Sequence, residues 1–512
     1  MTQKAVTDAL AAKADSSTLN TYVTINAMDT ALAAKADAST AATKQYVDQQ
    51  IASIPAGGGS GAVINMDAAD ANHLVKVDSN GHLVASVATE EAIIEALLQA
   101  GTYIAKDAVG LDIDYANRAF NRVQEATGKT MGTDFDSYTM YGGRTRCNVS
   151  DNGEITAFYG DANYTEDGSN GQVMIYQPKF YYKRVIRTAD ELVKGKAVRH
   201  ETLIISPTEQ SGFKLAPIFE GGLDYVLLPA FDAGLVDGKL TSIAGVKPIN
   251  NLTRAEAETY ANARGTGWHI MNMAAESANQ MLEIVEFGSM NGQQSIESGI
   301  TYIPEGSNGQ CMFITGSTSD LGNGTGHAET TTMDVNGTTS QQSDNGTRAI
   351  SYRGMENPWG NLWSMIGGVN VQGNGISNGG EVWICQDFNY SGENYEEVGF
   401  NLPSIYGWVN AMGYGNEKYD WVYLPIECST SANSLLPVGD YLWTIANLNN
   451  KMILATGGSF GFKDECGPFY YAADRTETTC SRNNYGAKLL YIPTKNSTYT
   501  ANINKWNTYM GG

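Results

Sequence analysis

Five histidines, six cysteines and 55 acidic residues are the groups with which this chain could do chemistry. His73, His82, His200, His269 and His327 are each isolated in sequence. No G-x-S-x-G, P-loop or H-E-x-x-H occurs, so no nucleophile elbow, phosphate cradle or zinc helix is expected. His269 follows a Trp in the apolar run "GWHIMN" and reads as a hydrogen-bonded core histidine. Carboxylate pairs such as "YTEDG" (164–168) and "ENYEEV" (393–398) carry the groups that glycoside hydrolysis sets across a cleft. In so acidic a chain such pairs arise by chance, and spacing alone places no two of them across one cleft. Cys147, Cys311, Cys385, Cys428, Cys466 and Cys480 form no C-x-x-C and have no His at ligand spacing. No zinc site is expected, and they read as reduced, buried thiols. Cys466 and Cys480 share one loop region, and whether they bond is left open. The loop "GDANYTEDGSNG" (160–171) lacks the ligand order of an EF-hand and reads as a solvated turn, so calcium is unsupported. No catalytic residue, metal or cofactor is assigned.

Contact chemistry is better represented. Tyr390, Tyr395, Tyr406, Trp408, Tyr414, Tyr419, Phe460, Phe462, Tyr470, Tyr471 and Tyr485 lie among Gly, Asn, Ser and Asp. Antibody paratopes use this mixture, because rings give contact area at low entropic cost and small polar residues adapt. Aromatic faces also stack on sugars. The stretch from 457 to 493 is the most suggestive. A Gly-Gly-Ser turn opens it, "GAKLLYIP" closes it as an apolar strand, and its middle has neither helical nor strand period. Within it Tyr470, Tyr471, Asp474, Arg475, Asn483, Asn484 and Tyr485 are the first candidate contacts, with Lys463, Asp464 and Glu465 next. Phe460, Phe462, Tyr406 and Trp408 complete the candidate surface. Trp421, Trp443, Phe469 and Cys466 are assigned to the supporting core.

Positioning these groups takes more than one domain: the chain has 512 residues. Its formal net charge is −22, with no large Lys/Arg cluster, which argues against a nucleic-acid or anionic-membrane partner. No apolar run is long enough to span a bilayer, so no membrane insertion is expected. The beginning, "MTQKAVTDALAAKAD", has no apolar signal region, and no secretory signal is expected.

Residues 1–56 carry "ALAAKAD" twice, at 9–15 and 31–37. Ile25, Met28 and Leu32, and again Val47, Ile51 and Ile54, step by three and four, the a/d seam of a coiled coil. A helix this polar is marginal alone, so the seam predicts a homotrimeric stalk. Residues 57–135 form a linker and small adaptor: "PAGGGSG", a hairpin at Asn80-Gly81 between "HLVKV" and "HLVAS", and helices over 89–101 and 114–128. Residues 136–250 are strand-rich. In 251–512 the pattern predicts a helix opened by the capping box Thr253-x-x-Glu256, a second over 274–288, and a loop-rich stretch over 304–350. The fold class is α+β.

"ENPWGNLWSMIGG" (356–368) resembles the Gly-Asn-Val-Trp-Glu-Trp signature of the formylglycine-generating-enzyme version of the C-type lectin fold. Gly360, Asn361 and Trp363 match, while Ser364 and Met365 depart. Gly457-Gly458-Ser459 resembles that family's Gly-Gly-Ser-Trp turn, with Phe460 for Trp, and "NYGAKLL" (484–490) resembles its closing strand. The resemblance implies a C-type-lectin-like head over about 250–493. It does not carry the oxidase activity, because Cys466 stands alone where the enzymes hold a reactive pair. The calcium-lectin sugar motifs are absent.

"GRTRCNVSDNGEITAFYGD" with "SNGQVMIYQPKFYYK", and the "ALAAKAD" repeats, resemble bacteriophage tail-fibre and minor tail proteins, some of them variable targets of diversity-generating retroelements. This implies a virion protein made in the host cytoplasm. Phage tail or baseplate proteins would hold its stalk, and its head would bind a bacterial surface receptor, a glycan or an outer-surface protein. Residues 459–485 would be the diversified window. A fibre-borne glycan depolymerase and a cellular adhesin of the same fold are the alternatives.

Overall fold

The computed structural model describes residues 64–65, 73–77, 83–89, 105–303, 312–333, 338–373, 379–390, 392, 394–431, 438–444 and 450–511. The stalk expected over 1–56 and nearly all of the helix expected over 89–101 lie outside the described residues. Two compact units divide the chain, one of residues 1–106 with 210–212, the other of 107–209 with 213–512. In the first, His73–Val77 and Leu83–Thr89 pair antiparallel as the Asn80-Gly81 signal predicts, and Ile64–Asn65 adds a parallel edge.

The second unit begins at Asp107, so the head takes in residues that the sequence assigned to the adaptor. The helix expected over 114–128 is instead part of a hairpin. Val109–Asp114 pairs with Ala119–Gln124, and its other edge pairs with Lys196–Ser206. The alternation of buried Val109, Leu111 and Ile113 decides this strand, and long-range pairing overrides the helix-like spacing that follows it.

This unit is α+β and strongly β-rich. A fourteen-stranded sheet holds Tyr181–Glu191, Lys196–Ser206, Gly407–Tyr414, Tyr441–Thr444, Gly467–Ala473, Lys451–Gly457 and Trp363–Gln372 in that spatial order. A six-stranded sheet joins Thr145–Val149, Gln172–Pro178 and Tyr225–Pro229 to the closing strand Leu489–Tyr491, so the β-rich part before 250 and the part after it share one sheet. In the loop-rich stretch the described residues form short strands. Thr330–Met333 pairs with Met312–Phe313 and Thr339–Gln342, and Gly326–Ala328 pairs with Ala349–Tyr352.

Both strong helices form where their end signals stand. Helix α1 (Arg254–Asn262) opens on the reciprocal Thr253–Glu256 box, the Thr253 amide donating to Glu256 Oε2 at 2.7 Å and the Glu256 amide to Thr253 Oγ1 at 3.2 Å. Helix α2 (Met273–Phe287) is capped by Asn272, whose Oδ1 accepts from the Ala275 amide at 2.9 Å, and it ends at Gly288 in the left-handed region (φ 66°). Every residue of α2 from Met273 to Glu286 is buried, including Glu276, Glu283 and Glu286. Such a helix must meet its charges inside the protein. Glu286 does so with Arg353, at 2.6 Å to Nε, and with the Tyr352 hydroxyl at 2.9 Å.

The three short motifs meet in space. The Gly360 amide donates to Gly457 O at 3.0 Å, the Phe460 amide to Asn361 O at 3.1 Å, and the Trp363 amide to Asn484 O at 2.8 Å. Asn361 Nδ2 donates to Asp232 Oδ2 at 2.7 Å, and Lys488, just before the closing strand, pairs with the same buried carboxylate.

Candidate functional site

The strand Gly467–Ala473 lies between Tyr441–Thr444, parallel, and Lys451–Gly457, antiparallel, and all seven of its residues are buried. Successive side chains of a strand point to opposite faces, and here both faces are covered. Tyr470 and Tyr471 are therefore core residues, not contacts. The Tyr471 hydroxyl donates to Tyr423 O at 3.0 Å and accepts from Gln280 Nε2 at 2.5 Å. The Tyr470 hydroxyl donates to Glu465 at 2.7 Å.

Four more expected contacts are likewise buried. Tyr485 donates to Asp474 Oδ1 at 3.1 Å, which accounts for both residues. Phe460 packs in a small cluster with Ile300, Phe313 and Leu362. Trp408 meets Tyr441 edge-on, with centroids 5.6 Å apart. Gly458 explains how tightly this region is drawn in. At φ 77°, a Cβ there would lie 2.5 Å from Cys466 Sγ and 2.7 Å from Tyr470 Cδ1.

Lys463, Asp464 and Asn483 are exposed, and Phe462, Glu465, Arg475 and Asn484 are partly so. Lys463–Glu465 forms a 3-10 turn held from below by Gln293, whose Nε2 donates to Lys463 O at 2.9 Å and Cys466 O at 2.7 Å. Burial raises the Glu465 carboxyl above its usual range; the Tyr470 hydroxyl opposes this and Asp464 adds to it.

Trp443, assigned to the core from sequence, is 38% exposed, and Tyr406 is 50% exposed. Gly407 pairs with Leu442 and Trp408 with Tyr441, a register that sets Tyr406 opposite Trp443. The two rings stack with centroids 5.1 Å apart and planes 27° apart. Tyr441 extends the stack, 6.4 Å from Trp443 at 29°. Tyr470 adjoins it on the neighbouring strand, edge-on to Tyr441 at 6.0 Å. Burial, then the nearby Glu465, raises the Tyr441 phenol, which keeps it neutral. The outcome is an open aromatic strip beside the Lys463–Glu465 turn, flanked on the neighbouring strands by the expected contacts Trp408 and Tyr470. The alternation Tyr441-Leu-Trp443, half in and half out, was the available signal for the two residues that sequence reasoning missed.

Several groups that could do catalysis are engaged in structure. His269 Nδ1 lies 2.7 Å from Glu258 and its ring stacks on Phe388 at 4.3 Å, as expected of a satisfied histidine. Glu166 pairs with Arg146 at 2.9 Å, and Glu396 accepts from the Tyr419 hydroxyl at 2.9 Å. Cys466 and Cys480 are both free and buried, and burial pushes both thiols up. Among the described residues no group of His, Cys, Asp and Glu is placed to hold a metal ion, and no helix is long and apolar enough to cross a membrane.

Neither protein-family models nor curated proteins match this chain.

Proposed function

We propose that this protein is an adhesin: a trimer whose head attaches to a bacterial surface and which turns nothing over. The particular protein we infer is a bacteriophage tail fibre, held to the tail or baseplate by its N-terminal stalk, with a C-type-lectin-like head. The observation that carries the reading is the stack of Tyr406, Tyr441 and Trp443, open to solvent and flanked by a fully buried strand. Rigid aromatic anchors with small polar neighbours make contact area at little entropic cost. The lectin-like reading is supported by the meeting of Gly360–Trp363, Gly457–Ser459 and Asn484. Three heads on one stalk convert weak single-site binding into firm attachment through effective concentration. Within the window 459–485, diversification would act on the exposed positions, Lys463, Asp464 and Asn483 among them.

The test is adhesion. Labelled full-length protein should bind cells of a susceptible strain and protect them from infection, and Trp443→Ala should lose both effects while staying folded. Release of soluble sugar from the cell surface, abolished by changing one carboxylate, would refute the non-catalytic reading.

A further inference from the structure

The strand Lys196–Ser206 divides one of its edges between two partners. Residues 200–205 pair with Val109–Asp114, and residues 196–197 pair with the far end of Gly407–Tyr414. The two partners part around Arg199, and an open cleft of about 400 Å³ lies at the fork, the size of a small-ligand site. Tyr115, Ala116, Arg118, Asp190, Arg199 and Asn410 line it. Buried Trp408 stands between Asn410 and the aromatic stack, so the fork is a site of its own.

Three of the lining residues depart from regular backbone structure. Val198 pairs with Ala189 and His200 with Thr188, which leaves Arg199 as the extra residue of a bulge. Val409 pairs with Cys428 and Ala411 with Glu427, which leaves Asn410 in the same position on its strand. Arg118 ends the turn between Asp114 and Ala119 at φ 54°, a conformation that Gly or Asn adopts at lower cost. Bulges re-aim side chains and gather beside active sites. Non-glycine residues in the left-handed region likewise collect at ligand sites. Here three such departures converge on one cleft.

The cleft's charges are not all satisfied. Arg199 donates from Nε to Asp190 Oδ2 at 2.7 Å, and its terminal nitrogens hold both oxygens of Glu427 at 2.6 and 3.0 Å. Arg118 is exposed and has no hydrogen bond or ion pair to any described residue. Asp190 Oδ1 and the Asn410 side-chain amide also have no partner among the described residues. The fork therefore offers one unpaired guanidinium, one free carboxylate oxygen and an amide that both donates and accepts. The first calls for an anion, and the other two call for hydroxyls.

We propose that this fork binds an acidic glycan, with a carboxylate or phosphate on Arg118 and ring hydroxyls on Asp190 and Asn410. A neutral sugar leaves Arg118 unused, and a bare anion brings no donor to Asp190. The net charge of −22 opposes an acidic ligand at long range. At physiological ionic strength, however, exposed charges beyond about 8 Å are largely screened, so the local guanidinium decides. The site is independent of the aromatic stack; only its reading as a receptor contact rests on the adhesin proposal above.

The full-length protein is titrated by calorimetry with trigalacturonate and glucose-6-phosphate, with maltotriose as the neutral probe and inorganic phosphate as the bare anion. At least one acidic sugar binds, about tenfold or more tighter than maltotriose and inorganic phosphate, and its affinity falls as salt is added. Which of the two binds tells carboxylate from phosphate. Arg118→Gly weakens binding by about tenfold or more without lowering the melting temperature, because Gly tolerates the left-handed turn. Asn410→Ala weakens it as well, whereas Trp443→Ala leaves it unchanged. Failure of both acidic sugars, equal binding of maltotriose or inorganic phosphate, or indifference to Arg118→Gly overturns the proposal. A protein that coats cells but binds neither acidic sugar removes this site and leaves the adhesin reading standing. Acidic-sugar binding without attachment to any cell does the reverse.

Discussion

Tyr406 lies stacked on Trp443, 5.1 Å between centroids, and both rings remain open to solvent although they close the outer face of a sheet. A pair of large rings left exposed side by side loses hydrophobic stabilisation that burial would supply. Removing one of them should then harm binding far more than folding. Trp443→Ala is expected to abolish cell attachment and to change stability by less than about 1 kcal/mol, as surface substitutions do. Tyr470→Ala, at a fully buried position on the strand beside the stack, should instead cost about 3–5 kcal/mol. Urea unfolding monitored beside cell binding separates the two.

The junction of the short motifs depends on one buried ion pair. Lys488 Nζ meets Asp232 and also donates to Asn357 O at 2.9 Å, and Asn361 donates to the other Asp232 oxygen. Lys488→Met should destabilise the head by about 3–5 kcal/mol, because Asp232 is left buried and without its countercharge. Adding Asp232→Asn should recover part of that loss. Equal destabilisation of single and double variants in chemical denaturation would show that the charge is irrelevant.

Helix α2 gives the head a pH dependence. Burial raises the Glu276 carboxyl from 4.5 to about 7, with Lys488 and a hydrogen bond from Thr456 opposing. Burial likewise raises Glu283 and Asp440. The folded state keeps a proton that the unfolded chain releases, so stability falls as pH rises from about 4.5 to about 7 and Glu276 contributes no further slope above that. Glu276→Gln should flatten this part of the curve and leave the protein more stable at neutral pH. Thermal melting across the pH range measures both.

Cys466 and Cys480 should be slow to react in the native protein. Both thiols are buried and shifted upward, Cys466 lying 3.5 Å from Ser459 O and Cys480 3.2 Å from Glu477 O. Iodoacetamide should label them only after denaturation, and reductant should leave the melting temperature unchanged. Prompt native labelling of Cys466 would contradict its burial.

The proposed trimeric stalk has its own measurement. Light scattering should give about three times the 55.0 kDa chain mass. A monomer persisting at high concentration would remove the trimer, and with it the avidity argument.

Elements governed by local rules were legible in the sequence. Thr253 and Glu256 announce the start of α1, and Gly288 the end of α2, because capping depends on residues a few positions apart. The hairpin over 109–124 was misread because spacing within 114–128 is ambiguous, while pairing with Lys196–Ser206 depends on residues some 90 positions away. The same limit governed the site. Tyr470 and Tyr406 are alike in type, and it is their placement that differs: Tyr470 sits inside the covered strand Gly467–Ala473 and is buried, while Tyr406 stands just before Gly407–Tyr414 and is exposed. The motif segments were readable as an order along the chain. That the Trp363 amide donates to Asn484 O and the Phe460 amide to Asn361 O needed three dimensions.

The buried strand Gly467–Ala473 divides the window 459–485 into two separated tracts of exposed positions: 461, 463 and 464 before it, and 478, 479, 481, 482 and 483 after it. A mutagenic cassette laid evenly across the window would spend much of its diversity on misfolded heads. One confined to those eight positions could be randomised as a display library, with the frame inherited intact by every member.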